Sequence, residues 1–362
     1  MIGQVVLSHS GYGSLDRFLR WLVPLALIFL LAGCSSVSYY QQLAAGQWQL
    51  LRARQPVASV IADPQQPQKL REHLRQVQAA RNFASQRLHL PDNGSYRTYA
   101  DIGRPYVVWN VFATPALSLS PRTQCFPIAG CVAYRGYYHQ SAARGAAALL
   151  RLDGLDVHVG GVQAYSTLGW FDDPILSSMV GADEQRLASV IFHELAHQRF
   201  YIQDDTPFNE SFATLVEQQG SREWRTAQGL PPADPQVERQ RGQFIALVLD
   251  TRERLQALYR QPLAPAPMLQ RKAAEFERLR QRYAQMRDEQ WHGDRRYDAW
   301  VYSPLNNAKL LPFGLYDQWV PAFATLFTQA GGDWPLFYRQ VERLGRLPPQ
   351  ARGQTLRALM AP

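Results

Sequence analysis

Residues 193–197 read His-Glu-Leu-Ala-His, and Asn209-Glu210-Ser211-Phe212-Ala213 opens a second helical pattern soon after. No other feature constrains the fold as tightly. Two histidines at i and i+4 leave one face of a helix about a turn apart, close enough to chelate one metal ion. Glu194 neighbours His193, so its carboxylate can reach a water at that ion without being a ligand. A catalytic zinc takes three protein ligands and keeps one position open. His193, His197 and Glu210 supply three, provided that the chain folds two helices side by side across a short connection.

The local sequence favours that arrangement over two isolated histidines. Asp183 and Glu184 place negative charge at a helix start, where the dipole stabilises it. Leu187, Val190, Ile191 and Leu195 recur near helical spacing and give the segment an apolar side. Asp204-Asp205-Thr206-Pro207 reads as a turn, with Thr206 as N-cap and Pro207 as first helical residue. Glu217 follows Glu210 at i+7 on the same face, placed to accept the ring N–H of a ligating histidine.

The run from His193 to His197, with Asn209-Glu210-Ser-Phe-Ala213 and Glu217, resembles the gluzincin clan of metallopeptidases, and especially its alanyl-aminopeptidase branch. More closely, the chain is similar to a bacterial family of predicted aminopeptidases that are lipoproteins. Gly130–Tyr137, Ala164–Trp170 and Asn306–Leu310 carry that likeness outside the zinc motif. The resemblance implies an α+β, mostly helical fold with a zincin-like core and a small mixed sheet. It also implies one Zn2+ per chain and a peptide substrate. The gap between His197 and Glu210 is shorter than in the larger gluzincin families, so the loop must be tight. The alanyl-aminopeptidase exopeptidase signature is absent, and Asp172 and Asp173 are the only nearby carboxylates that could hold a free amine.

In zincins the segment before the zinc helix is an edge strand along which a peptide lies antiparallel. Gly161–Gly169 occupies that place, which makes Tyr165, Ser166 and Thr167 candidate substrate contacts. Gluzincins often draw an oxyanion donor from downstream of the third ligand. Tyr302 and Tyr316, flanking Asn306-Asn307, are the candidates, with Asn307 as a substrate clamp. Two other readings stay open. One is an endopeptidase or cell-wall peptide amidase. The other is a low-turnover, zinc-containing, chaperone-like binding factor, although the intact Glu194 argues for a working enzyme.

The N-terminus reads as targeting. Arg17 and Arg20 precede an apolar run from Trp21 to Leu31, too short to span comfortably and suited to a signal peptide. Leu31-Ala-Gly-Cys34 resembles the bacterial lipobox, which makes residues 1–33 a signal and Cys34 a lipidated anchor. The implied address is the outer membrane, facing the periplasm. In such an oxidising compartment Cys125 and Cys131 can close a small disulfide loop; two buried thiols are the competing reading. The formal net charge is +8. The basic residues are nearly all arginines scattered along helical faces, and nothing resembles a nucleic-acid module.

Organisation follows from the remaining pattern. Residues 34–100 form an N-terminal helical segment and 101–230 the catalytic core, with strands at 106–112, 131–138 and 155–160 and a helix at 141–152. Residues 231–300 form a charged helical hairpin split by Gln261-Pro-Leu-Ala-Pro-Ala-Pro267. Residues 301–362 are the helical remainder of the catalytic part.

Overall fold

The computed structural model describes residues 37–126, 130–164, 166–180 and 184–360. The segment 1–33 expected to be a signal, Cys34, Tyr165 and Asp183 lie outside these residues. The chain divides into two compact units, Met1–Gln49 and Leu50–Pro362. What is described of the first is part of a helix, α1, over 37–52. No described helix is long and apolar enough to cross a membrane.

The second unit is α+β and mostly helical, with three small sheets among the described residues where the sequence led us to expect one. It opens with β1 (Arg54–Pro56), α2 (Val57–Ala62), α3 (Gln68–Gln86) and β2 (Thr98–Ala100). The long strand β3 (Val108–Pro115) follows, then β4 (Gln124–Phe126), β5 (Gly130–Val132), β6 (Tyr134–Tyr137), α4 (Gln140–Leu152) and β7 (Leu155–Val162). β3 is central in the antiparallel order β6-β3-β7. It carries a nearly unbroken apolar run, Val107 to Ala113, because both its faces are covered and alternation would leave polar groups dry. The segment 131–138, expected as one strand, is two. Cys131 pairs across to Cys125 in the hairpin β4–β5, while Tyr137 pairs with Trp109 in the larger sheet. Ala133, buried between them, marks the change of sheet.

β8 (Ile175–Leu176) lies parallel to β2, and α5 (Ser177–Val180) follows it. The metal-motif helix is α6 (Glu184–Arg199), and its partner is α7 (Thr206–Ala227). Leu187, Ala188, Ile191, Phe192, Leu195 and Ala196 bury one side of α6. α7 is buried over nearly all of its first three turns, Phe208 to Val216, because it runs through the middle of the molecule. Its Phe208 and Phe212 pack edge-on against Phe323.

The hairpin is α8 (Pro235–Tyr259) and α9 (Pro265–Gln285), continued by a π-helical turn, Met286–Gln290. It is less solvated than its charge suggests. Phe244, Leu247, Val248, Leu255, Phe276, Leu279 and Tyr283 form a buried core with Trp291 and Leu310. Short α10 (Asp298–Val301) leads into α11 (Asn307–Tyr316), which packs against α7, β3, β7 and α8. α12 (Val320–Gln329), α13 (Trp334–Gly345) and α14 (Pro349–Met360) complete the chain.

Candidate metal centre

The connection between α6 and α7 explains how so short a gap brings three ligands together. Asn209 holds the loop from inside: its carbonyl oxygen accepts from Ile202 N at 2.8 Å and its amide donates to Ile202 O at 2.6 Å. Asp205, not Thr206, is the N-cap of α7, accepting from Phe208 N at 3.2 Å. A carboxylate there does double duty, because it also meets Arg352 at 2.6 Å. Asp204 takes a left-handed backbone, φ +67°, which aspartate tolerates better than most residues. Its carboxylate accepts from Cys131 N, on the hairpin that the Cys125–Cys131 disulfide closes. Gly130 (φ +70°) lets that hairpin approach, since a Cβ there would lie 2.5 Å from the Asp204 carboxylate.

The loop therefore sets Glu210 opposite the two histidines. His193 Nε2 lies 3.2 Å from His197 Nε2 and 3.4 Å from Glu210 Oε2. The third side, His197 Nε2 to Glu210 Oε2, is 3.5 Å. Tetrahedral bonds of the length zinc makes to nitrogen and oxygen put neighbouring ligand atoms about 3.3–3.4 Å apart. The triangle in the protein matches that spacing. His193 Nδ1 lies 3.1 Å from Glu217 Oε2, and donation there leaves Nε2 with its lone pair facing the triangle. His197 Nδ1 is buried with no partner among the described residues. Among the described residues no other group of this kind could hold a metal.

Electrostatics agree that the triangle suits a cation. Burial alone would raise the Glu210 carboxyl, yet the two histidines hold it down at about 2. Burial opposes charge on His193, but hydrogen bonds to Glu210 and Glu217 outweigh it and push its pKa well up. Glu194 is raised, chiefly by burial, with the histidines pulling the other way. A divalent ion would satisfy the same carboxylates without a proton on His193.

Two tyrosines border the triangle. Tyr316, at the end of α11, stacks on the His193 ring, centroids 6.2 Å apart. Burial and then Glu210 push its hydroxyl pKa far up. Tyr201 stands edge-on to His197 at 6.4 Å, its pKa raised to about 12, first by burial. Tyr201 was missed in the sequence, although its i+4 spacing from His197 was a legible signal.

Other sequence candidates lie elsewhere. Tyr302 is half exposed, and its contacts are with Tyr283 and Arg287 beside the hairpin. Asn307 is fully buried; its amide donates to the Ala116 and Ser118 carbonyls, and its oxygen accepts from Tyr259. Its amide group fastens backbone, with both N–H donors engaged.

The segment 161–169 is not the expected edge strand. β7 stops at Val162, and the chain then turns, with Leu168 and Gly169 in left-handed conformations. The cause is Asp173, a buried carboxylate that accepts from Thr167 N at 2.8 Å and Thr167 Oγ1 at 2.9 Å. Ser166 and Thr167 thus belong to a folded loop. Burial raises Asp173 to about 7, against the Thr167 hydrogen bonds and with help from Glu194. Trp170, at the loop tip, is 66 % exposed and so is not a core residue.

A second loop, 91–97, packs on the first. Its Tyr96 N donates to Asp173 O at 2.7 Å, and Asp173 N donates to Ser95 Oγ at 3.3 Å. Gln198, next to His197, joins both Asn93 and Ser95. Beneath them Arg81, 1 % exposed, donates to the carbonyls of Ser95, Pro91 and Asn93. The wall facing the metal helix is therefore two interlocked loops. The Asp172 carboxylate lies close over Gly94, where a Cβ would sit 2.4 Å from it.

The model of a family described as "Putative aminopeptidase" matches residues 38–356. No curated protein and no solved structure matches the chain.

Proposed function

Because the chain belongs to the "Putative aminopeptidase" family, we propose that it is a zinc-dependent aminopeptidase with a gluzincin-type site. The triangle of His193, His197 and Glu210, with edges of 3.2, 3.4 and 3.5 Å, carries this reading. Zinc held there would polarise the scissile carbonyl and acidify water. Glu194 takes the proton from the attacking water and delivers it to the leaving amine, a role suited to a carboxyl raised by burial. Glu217 fixes the His193 ring through Nδ1. Tyr316, stacked on His193, is the proposed donor to the oxyanion that develops on the carbonyl oxygen. Tyr302 is not carried forward in that role, since its contacts are with the hairpin.

The test is metal content and hydrolysis on protein beginning after Cys34, beside Glu194→Gln. Peptides with free and blocked amino termini would be read by mass spectrometry. The expected result is one zinc per chain, trimming of free amino termini only, and loss of trimming in Glu194→Gln by roughly 10²–10⁴-fold with zinc retained. Internal cleavage of blocked peptides would make the protein an endopeptidase instead. We propose further that Cys34 carries the lipid that anchors the protein to the periplasmic face of the outer membrane. Mass spectrometry of the mature amino terminus and membrane fractionation test that.

A further inference from the structure

α1 buries one side and leaves another side apolar. Tyr39, Gly46 and Leu50 share one helical face and are buried, with Leu43 half-buried between them. Val37, Tyr40, Ala44 and Trp48 recur at helical spacing and form a second stripe along the helix. All four are exposed, Val37 by 55 %, Tyr40 by 48 % and Trp48 by 58 %. A single exposed apolar residue is ordinary, but an aligned row of them marks a contact surface.

Charge and position say what meets that surface. From Val37 to Leu51 no side chain is charged, and the exposed polar residues beside the stripe are Ser38, Gln41 and Gln49. The exposed side of α9 carries Arg271, Glu277, Arg278 and Arg282 instead. Protein interfaces usually keep a polar, often charged rim, whereas the edge of a bilayer's hydrocarbon disfavours charge. Tryptophan and tyrosine suit that edge, because each joins an apolar ring to one polar group. Val37 also follows Cys34 by three residues, a reach of about 11 Å at full extension. A lipid on Cys34 would therefore hold the first turn of α1 at the bilayer surface.

We propose that α1 is a membrane-surface helix: Val37, Tyr40, Ala44 and Trp48 sink into the boundary between headgroups and acyl chains. The protein is then held to the bilayer by the lipid and by the stripe together. A single acyl chain binds only marginally and reversibly, so a second contact is what makes such anchoring stable. The inference rests on the lipid-anchor reading of Cys34 and deepens it.

The test uses the full chain purified from bacterial membranes and placed in vesicles of phosphatidylethanolamine and phosphatidylglycerol. A fluorescent label is attached at Ala44→Cys, on the stripe, or at Gln49→Cys, exposed off it; the Cys125–Cys131 disulfide keeps the native pair from reacting. An aqueous quencher should reach position 44 roughly fivefold more slowly than position 49, and about 0.5 M salt should leave that ratio unchanged. Tyr40→Ser combined with Trp48→Ser should bring the two positions to the same rate, with the fold kept by circular dichroism. Equal quenching in the wild-type background, or protection that salt removes, would overturn the proposal. Protection that fades as the protein is diluted in lipid would assign the stripe to a second copy of the chain and overturn it as well. If Cys34 proves to carry no lipid, the chain from Ser35 is held on nickel-chelating lipid by an amino-terminal histidine tag. Protection of position 44 there keeps the surface helix although the anchor reading has failed, and its absence ends both.

Discussion

The two walls of the candidate metal centre are built by different physics. On one side, α6 and α7 present His193, Glu194, His197, Glu210 and Glu217 from regular helices, so side-chain directions follow from helical periodicity alone. On the other, the loops 91–97 and 163–173 hold Tyr96, Ser166 and Thr167 through buried polar contacts made between distant segments. The helical wall takes its side-chain directions from spacing along two buried helices. The loop wall is fixed by satisfied hydrogen bonds, so losing one member leaves others buried and unpaired. One wall should fail by losing chemistry and the other by losing shape.

The largest effect should come from the helical wall. Glu210→Ala should abolish zinc retention, measured as metal per chain after dialysis, with the fold kept by circular dichroism. Retained zinc would mean that the triangle is not the site. Glu217→Gln should weaken zinc affinity or activity roughly 10–100-fold, as other losses of a histidine's supporting carboxylate do. On the loop wall, Arg81→Met orphans the carbonyls of Pro91, Asn93 and Ser95 and should cost roughly 3 kcal/mol in urea unfolding. Zinc content of the folded fraction should stay unchanged. If Arg81→Met instead removes zinc without destabilising the protein, the division between the walls breaks down.

Asp173 sharpens the comparison by pH. Its carboxyl sits at about 7 in the folded protein, above its ordinary 3.8, chiefly through burial. Between those values the native state holds a proton that the unfolded state has released, so its contribution makes stability fall as pH rises. Asp173→Asn should flatten the stability profile of the zinc-free protein between pH 4 and 7. A profile as steep as wild type would show that Asp173 is not the group responsible. The smallest effect is at the exposed Asp204. Asp204→Ala loses its bond to Cys131 N and should cost about 1 kcal/mol. Activity should change less than twofold, since Asn209 still holds the loop.

How legible the molecule was in its sequence follows the same division. The residue pattern placed α4, β3, β7 and the α8–α9 hairpin within a few residues, and β3 was legible as an apolar run because both its faces are covered. Helical periodicity put Glu217 on the face of α7 that carries Glu210. Extended geometry was read into 161–169 from position alone, and a single aspartate, Asp173, folds that segment into a loop. Tyr302 and Asn307 looked functional because they flank a motif. Their burial and contacts show Asn307 fastening backbone and Tyr302 lying beside the hairpin. Tyr201 was readable and overlooked.

The sequence by itself determined the helical pair, the spacing of His193, His197 and Glu210, and the carboxylate next to the first histidine. Helical geometry is local, so residue order fixes which side chains share a face. The tertiary structure alone decided what stands opposite. The place of Tyr96 depends on Arg81, Ser95 and Asp173, joined through backbone carbonyls that carry no sequence signature. Long-range burial of polar groups chooses such partners, and only the folded chain brings them together.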